Sequence, residues 1–406
     1  MTTSEYKKMI TAIFAANTHR GFAEWRQCGS LETEITDFME KAKAELTDEG
    51  RYSDLFDVAN KAFLKWADTD KDDSNGETQD FCACIMDIWN EVYNKGKDDI
   101  SHDKMMKFYI DHLDGSVVDY MMDYLYEFLL SHFKTKDELI VKEQFFKAQM
   151  DRLKLEVQEN EIRKYTLNVV EDYYIRVLGD LKRPIEEIRD FARQSGSYGI
   201  VDVLAEIETE YGNYGEALAI YEKRIEERPD SYWSNEPRKK IMAIYKKTGD
   251  VDAYNHTLYE MMMANIGSTE YFKEYKALFS SEEWPAEWAR LLDIIQTRRQ
   301  SPCAWYEIEG RFDLIMDCAE PDNAGLIDSY KQLKKLYPER CLQVLINDAN
   351  NVVKRSKNRR DYRWVANTLK KIQKYDGGVE VAHELAQKYV AEYPRRTALI
   401  DELKRF

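Results

Sequence analysis

Proline and glycine are scarce in this chain. Its 406 residues include 8 prolines and 17 glycines, and the first proline is Pro184. Because both residues interrupt helices, a chain so poor in them has few positions where a helix must stop. Long apolar runs are missing too, since no stretch approaches the ~18 residues that a membrane span requires. The first twenty residues read as an amphipathic helix, so we expect neither a signal peptide nor a membrane association.

Residues that commonly carry chemistry are few and scattered. The six cysteines are unevenly spaced, which is not typical of a disulfide framework and indicates a reduced, cytoplasmic protein. The six histidines form no H-E-x-x-H motif. Glycine-rich phosphate loops and the G-x-S-x-G elbow are also missing. We therefore expect no catalytic residue, no metal site and no cofactor, and hence a protein that is not an enzyme.

The charge is strongly one-sided. The formal net charge is -16, with 75 acidic against 59 basic residues. Such a surface repels nucleic acid and anionic lipid. Nucleic-acid binding would therefore need a local basic patch that works against the overall charge.

Apolar residues recur at helical spacing along the chain. Two stretches show one apolar face each: Tyr52, Leu55, Phe56, Ala59, Phe63 and Leu64, and then Phe81, Ile85, Ile88, Trp89 and Val92. Alternation of the kind that marks strands is hard to find. The pattern predicts an all-α protein whose short connections favour antiparallel helical hairpins.

One stretch has the pattern of a helical repeat. Residues 204–230, "LAEIETEYGNYGEALAIYEKRIEERPD", resemble a tetratricopeptide repeat. Small Ala205 and Ala217 would let two helices approach, Gly212 would end the first helix, and Pro229 would stop the second. An unrelated helical hairpin is the alternative. Weaker matches to the same repeat pattern follow downstream. Together they predict an α-solenoid with a helical-hairpin region at 1–183 and a tetratricopeptide-like region at 184–406.

Residues 68–80, "DTDKDDSNGETQD", hold six acidic side chains in thirteen positions. An EF-hand calcium loop needs glycine at its sixth position and glutamate at its twelfth. Counting from Asp68 puts Asp73 and Gln79 there, and later registers fail as well. We interpret the stretch as a helix-capping turn, in which Ser74 and Glu77 form a capping box.

Several segments resemble a known family. They are "FAEWRQCGSLETEITDFMEKAKAEL" at 22–46, the "DDSNGE" turn at 72–77, "CIMDIW" at 84–89, and residues 333–372 and 392–403. Together they resemble the helical region that follows the zinc finger in bacterial SWIM zinc-finger proteins. The finger itself needs a C-x-C pair and a downstream C-x-H, and no cysteine here is followed two residues later by histidine. The resemblance therefore implies the helical region alone, and whether a separate chain supplies a finger is open.

The clearest basic cluster lies at 354–374, with nine lysines and arginines against one aspartate. The candidate binding residues are Lys354, Arg355, Lys357, Arg359, Arg360 and Arg363. Beside Tyr362 and Trp364 they would hold phosphates and stack a base. The alternative is the cationic end of one helix followed by a solvated connection. We expect a non-catalytic scaffold that binds a protein or peptide partner, with a nucleic-acid accessory role through this cluster as the alternative.

Overall fold

The computed structural model describes residues 1–113, 115–161, 163–228, 234–320 and 323–406. These residues are overwhelmingly helical, which confirms the predicted all-α class. The chain divides into two compact units, unit 1 (Met1–Ile220) and unit 2 (Tyr221–Phe406). This division follows compactness, whereas the predicted regions 1–183 and 184–406 are drawn from where the repeat pattern begins. Among the described residues, no helix has both the length and the apolar character needed to cross a bilayer.

In its described residues, unit 1 holds ten complete helices and a pair of two-residue strands. In chain order these are α1 (Thr3–Asn17), β1 (Phe22–Ala23), α2 (Trp25–Asp48), α3 (Tyr52–Ala67), β2 (Asp70–Lys71), α4 (Glu77–Lys95), α5 (His102–His112), α6 (Asp119–Ser131), α7 (Lys136–Glu159), α8 (Arg163–Asp180), α9 (Ile185–Gln194) and α10 (Ile200–Tyr211). The next helix, α11 (Tyr214–Glu227), contains the division between the units.

Unit 2 continues with shorter helices. They are α12 (Asn235–Thr248), α13 (Val251–Ala264), α14 (Thr269–Lys276), α15 (Trp284–Thr297), α16 (Cys303–Ile308), α17 (Phe312–Ala319), α18 (Gly325–Ser329), α19 (Gln332–Leu336), α20 (Pro338–Arg355), α21 (Arg359–Ile372), α22 (Gly378–Glu392) and α23 (Thr397–Leu403).

Reciprocal hydrogen bonds start two of the unit 1 helices. At α1, the amide of Glu5 donates to Thr2 Oγ1 at 3.3 Å, and the amide of Thr2 donates to the Glu5 carboxylate at 2.7 Å. Thr135 and Glu138 repeat this arrangement at α7. Such capping boxes satisfy amides that a helix start leaves without partners, and each cap is worth about 1 kcal/mol.

Aromatic rings fill the core of unit 1. Trp66 of α3 stacks on Phe81 of α4 with ring centroids 4.4 Å apart, and its indole nitrogen donates to Thr78 Oγ1 at 3.0 Å. Farther along, Trp89, Tyr109 and Phe128 join α4, α5 and α6. Rings of this size bury 150–250 Å² each, in order-of-magnitude terms, and they account for much of the apolar burial that fixes these helices.

A second aromatic cluster organises unit 2. Phe272 of α14 stacks on Trp305 of α16 at 4.7 Å and meets Trp284 and Trp288 of α15 edge-on. The indole of Trp305 donates to the carbonyl of Ser268 at 2.8 Å, so its one polar atom has a partner inside the core.

The repeat-like stretch folds as two helices joined by a tight turn. Gly212 follows α10 with φ of 82°, the left-handed conformation predicted for it. Ala205 and Ala217 are buried, as small residues at a helix contact should be. Helix α10 packs against α8 and α9. Pro229 lies outside the described residues.

Candidate functional site

The basic stretch occupies the end of one helix and the start of the next. Lys354 and Arg355 end α20, and Arg359, Arg360 and Arg363 lie in the first turns of α21. Asn358 begins α21, because its Oδ1 accepts the amide of Asp361 at 3.0 Å and its Nδ2 donates to the Asp361 carboxylate at 2.8 Å. Lys354 and Arg355 therefore lie at a helix end, where the dipole of α20 favours them, whereas the three arginines belong to the next helix.

Two of the six candidate cations are neutralised by α23. Arg359 donates to Glu402 at 2.9 Å and to Asp401 at 3.2 Å, and Arg363 donates to Glu402 at 3.4 Å. The hydrogen bond that Arg359 donates to Glu402 raises the pKa of Arg359 above its usual value. These two arginines therefore join α21 to α23 and contribute little positive charge to a ligand.

The other four cations are exposed and have no such partner. Within the part of the chain that the structure describes, Lys354, Arg355, Lys357 and Arg360 form no ion pair. Unpaired guanidinium groups keep all of their donors available to an incoming carboxylate or phosphate. The structure thus separates the predicted set into two paired and four unpaired residues.

Arg355 and Arg360 line a groove beside Trp364. The groove has a volume of about 610 Å³, and Asp348, Val352 and Asp361 are also part of its wall. We call it the Trp364 groove. Half of the Trp364 surface is exposed (51%), which is unusual for so large an apolar side chain. One apolar face and two guanidinium groups are therefore open to the same space.

The carboxylates of the groove are held by neutral donors. Asp348 accepts hydrogen bonds from Trp364 Nε1 at 3.0 Å and from Thr368 Oγ1 at 3.4 Å. The ammonium of Lys371 lies 5.6 Å from the centre of the Trp364 ring and is itself paired with Asp328 at 2.5 Å. The groove combines cations, an aromatic face and two fixed carboxylates, a set that can recognise one anionic group with an apolar neighbour.

Helical spacing distinguishes the two kinds of arginine. Arg359 and Arg363 are four residues apart and share the face toward α23, whereas Arg360 and Trp364 share the adjacent face. This spacing was available in the sequence. Asp348 and Glu402 were missed, because they come from residues far along the chain.

The acidic turn at 72–77 folds differently from its prediction. Helix α4 begins at Glu77 with Gly76 in the left-handed conformation, so the predicted capping box of Ser74 and Glu77 is wrong. Asp73 takes the capping role instead and accepts the amide of Thr78 at 2.9 Å. Ser74 donates to Asp72. Among the described residues, Asp73 and Glu77 lie together with Cys28, and this is the one group whose ligand atoms are close enough to hold a metal ion.

No family model matches this chain, and neither does any curated protein.

Proposed function

We propose that this chain is a non-catalytic helical-repeat scaffold that binds a protein or peptide partner through the Trp364 groove. The observation that carries the proposal is the pair of unpaired, exposed guanidinium groups, Arg355 and Arg360, beside an exposed tryptophan. Such a groove suits a peptide segment with a carboxylate or phosphate next to an apolar side chain.

The contacts between helices support a repeat architecture within each unit. Most of the extensive contacts join helices that are one or two positions apart in the chain, such as α1 with α3, α2 with α4, and α8 with α10. Stacked helical hairpins show this pattern, because each pair buries its apolar face on the next. We propose on this basis a solenoid arrangement, with tetratricopeptide-like packing near residues 204–228. A relationship to the helical region of SWIM zinc-finger proteins is part of the same proposal.

The cysteines are consistent with a reducing compartment. All six are free thiols, three of them buried in helices. We therefore propose a cytoplasmic location.

Nucleic-acid binding is the second candidate function. Lys354 and Lys357 add two unpaired cations close to Arg355 and Arg360, which favours a phosphate backbone. Two carboxylates in the groove wall and the net charge of -16 oppose it. An accessory role in nucleic-acid binding therefore ranks below recognition of a single anionic group.

Two double variants with the same change in charge separate the candidates. Arg355→Gln with Arg360→Gln removes the unpaired guanidinium groups, and Arg359→Gln with Arg363→Gln removes the paired ones. Fluorescence anisotropy would measure binding of labelled acidic, phosphorylated, neutral and basic peptides, and of a short single-stranded DNA, at low salt.

Recognition in the groove predicts that anionic peptides bind the wild type and the second variant, and that the first variant loses at least tenfold in affinity. Equal losses in both variants, with DNA bound more tightly than any peptide, would establish the nucleic-acid role instead. If no anionic peptide binds the wild type more tightly than the first variant, the groove is not the binding site.

A further inference from the structure

Three side chains of unit 1 bring metal-binding atoms together. The sulfur of Cys28 and one carboxylate oxygen each from Asp73 and Glu77 lie within 4.8 Å of one another. The ligand atoms of one tetrahedral zinc ion are about 3.4 Å apart, so small side-chain rotations suffice to close the group. We call this group the Cys28 cluster.

The short parallel sheet creates the cluster. Phe22 pairs with Asp70 and Ala23 with Lys71, and the amide of Asp72 donates to the carbonyl of Ala23 at 2.9 Å. This pairing holds the acidic turn against the start of α2, where Cys28 lies. Glu77 is the first residue of α4, so its carboxylate reaches the same point from the other side.

Two members of the cluster are buried without a compensating charge. Cys28 is fully buried and, within the described ranges, its thiol makes no hydrogen bond. Glu77 is 6% exposed, and among the described residues its carboxylate accepts hydrogen bonds only from Asn75, at 3.2 Å from the amide and 3.0 Å from Nδ2. No ion pair to Glu77 occurs in that part of the chain. Buried carboxylates normally pair with a cation or coordinate a metal.

Lys71 of β2 does not neutralise the buried ligands by an ion pair. Lys71 interacts electrostatically with Cys28 and Asp73, but its ammonium donates to the main-chain carbonyls of Trp66 at 2.8 Å and Thr69 at 2.9 Å. A buried thiol and two carboxylates thus converge on a space that Lys71 borders without forming an ion pair.

We propose that the Cys28 cluster binds a divalent, borderline-soft metal ion, with Zn²⁺ as the ion that fits its donors best. One thiolate and two carboxylates form a three-ligand set that leaves the fourth tetrahedral position for water. Calcium and magnesium prefer oxygen donors and would not use the sulfur. The proposal explains why the acidic turn fails every EF-hand register, since its partner ligand comes from a residue 45 positions earlier than Asp73.

The turn also provides a route for the ion. Asp73 is half-buried, and Ser74 and Asn75 beside it are exposed. A metal ion can therefore enter through Asp73 and meet the two buried ligands behind it.

Metal titration of the full chain tests this site. Zn²⁺ binding would be measured by calorimetry, and Co²⁺ would serve as a spectroscopic probe because a thiolate ligand gives it an intense charge-transfer band. The variants are Cys28→Ser, Glu77→Gln and Asp73→Asn, and Cys84→Ser is the control. Cys84 lies in α4 near Lys43 and Asp87, away from the cluster. Circular dichroism establishes that each variant is folded.

The expected result is one Zn²⁺ per chain, with affinity reduced at least tenfold in each cluster variant and unchanged in the control. The Co²⁺ charge-transfer band should persist in Asp73→Asn and disappear in Cys28→Ser. If Cys28→Ser does not fold, Asp73→Asn still tests the site, because asparagine retains the Oδ1 that caps α4. The proposal is overturned if the wild type does not bind Zn²⁺, or if it binds Ca²⁺ with an affinity that Cys28→Ser leaves unchanged. It is also overturned if Cys84→Ser loses as much Zn²⁺ affinity as the cluster variants.

Discussion

The indole nitrogen of Trp364 donates a hydrogen bond to Asp348 Oδ2 at 3.0 Å while half of the tryptophan surface stays exposed. The bond joins α21 to α20 and fixes the edge of the ring, and the ring lines the groove shared with Arg355 and Arg360. A fixed aromatic surface loses little side-chain entropy when a ligand packs on it, which is the property that makes tryptophan common in binding hot spots.

The ring of Trp364 should contribute directly to peptide binding. Trp364→Ala removes the apolar surface and should weaken the binding of an anionic peptide by roughly tenfold, whereas Trp364→Phe keeps a ring and should lose less. Anisotropy titrations of both variants with one peptide measure the difference. If alanine and phenylalanine give the wild-type affinity, the peptide does not touch the ring.

Asp348 should limit the affinity of the groove for anions. Asp348→Asn retains the Oδ acceptor for Trp364 and removes a negative charge from the groove wall. The loss of like-charge repulsion should tighten the binding of a phosphorylated peptide several-fold, at about 1 kcal/mol for charges 4 Å apart in water. The gain should shrink at high salt, and titrations at two ionic strengths measure it. A neutral peptide serves as the control, because its affinity should not change.

Helical periodicity is sufficient to predict the helices of this fold. It predicts much less about which helices contact each other. The apolar face of Leu55, Phe56 and Phe63 is buried in α3 as predicted, because burial of an amphipathic face depends on local spacing. Gly212 likewise ends α10 as expected, since the left-handed conformation is a local preference.

The candidate sites depend on distant pairs that spacing does not reveal. Arg359 is neutralised by Glu402, 43 residues later, and Cys28 meets Glu77 only because β1 pairs with β2. The predicted capping box at Ser74 was wrong for a related reason. Ser74 and Asp73 both lie just before α4, and Asp73, not Ser74, accepts the amide of Thr78. Pairing between distant segments is decided by packing, and the local spacing of residues carries no information about it.

A buried ion pair in unit 1 should be essential for its stability. Glu208 of α10 is 1% exposed and accepts hydrogen bonds from Arg189 of α9 at 2.6 and 3.1 Å and from Asn213 at 2.8 Å. The hydrogen bonds that Arg189 donates to Glu208 raise the pKa of Arg189 above its usual value. Arg189→Met should lower the free energy of unfolding by about 3–5 kcal/mol, because it leaves a buried carboxylate without its cation.

Denaturant unfolding of two further variants controls this prediction. The double variant Arg189→Met with Glu208→Met should recover much of the loss, since no buried charge remains. Arg193→Met removes an exposed arginine of α9 that pairs with Asp190, and it should cost less than about 1 kcal/mol. Equal losses for Arg189→Met and Arg193→Met would contradict a special role for the buried pair.

Lys142 of α7 is the most deeply buried cation among the described residues of unit 1. Its side chain is fully buried, and its nitrogen donates to the carbonyl of His132 at 2.6 Å. Burial, followed by the nearby charge of Lys134, lowers the pKa of Lys142 to about 7, and Asp180 and Glu138 oppose the shift. The ammonium form therefore has little solvation in the folded protein, and the amine becomes the favoured form just above neutral pH.

Lys142 should consequently make a contribution to stability that rises with pH above neutrality. Between about pH 7 and the unfolded lysine pKa of about 10.4, unfolded Lys142 holds a proton that folded Lys142 lacks, so the contribution of this lysine to the free energy of unfolding increases with pH. This contribution is complete above the unfolded pKa and is lost as the pH falls through about 7. Lys142→Met should remove a slope of up to ~1.4 kcal/mol per pH unit, and Lys147→Met, an exposed change on the same helix, should keep it. Chemical denaturation across this pH range measures how the free energy of unfolding changes with pH. Identical slopes in the wild type and Lys142→Met would mean that the buried lysine stays protonated.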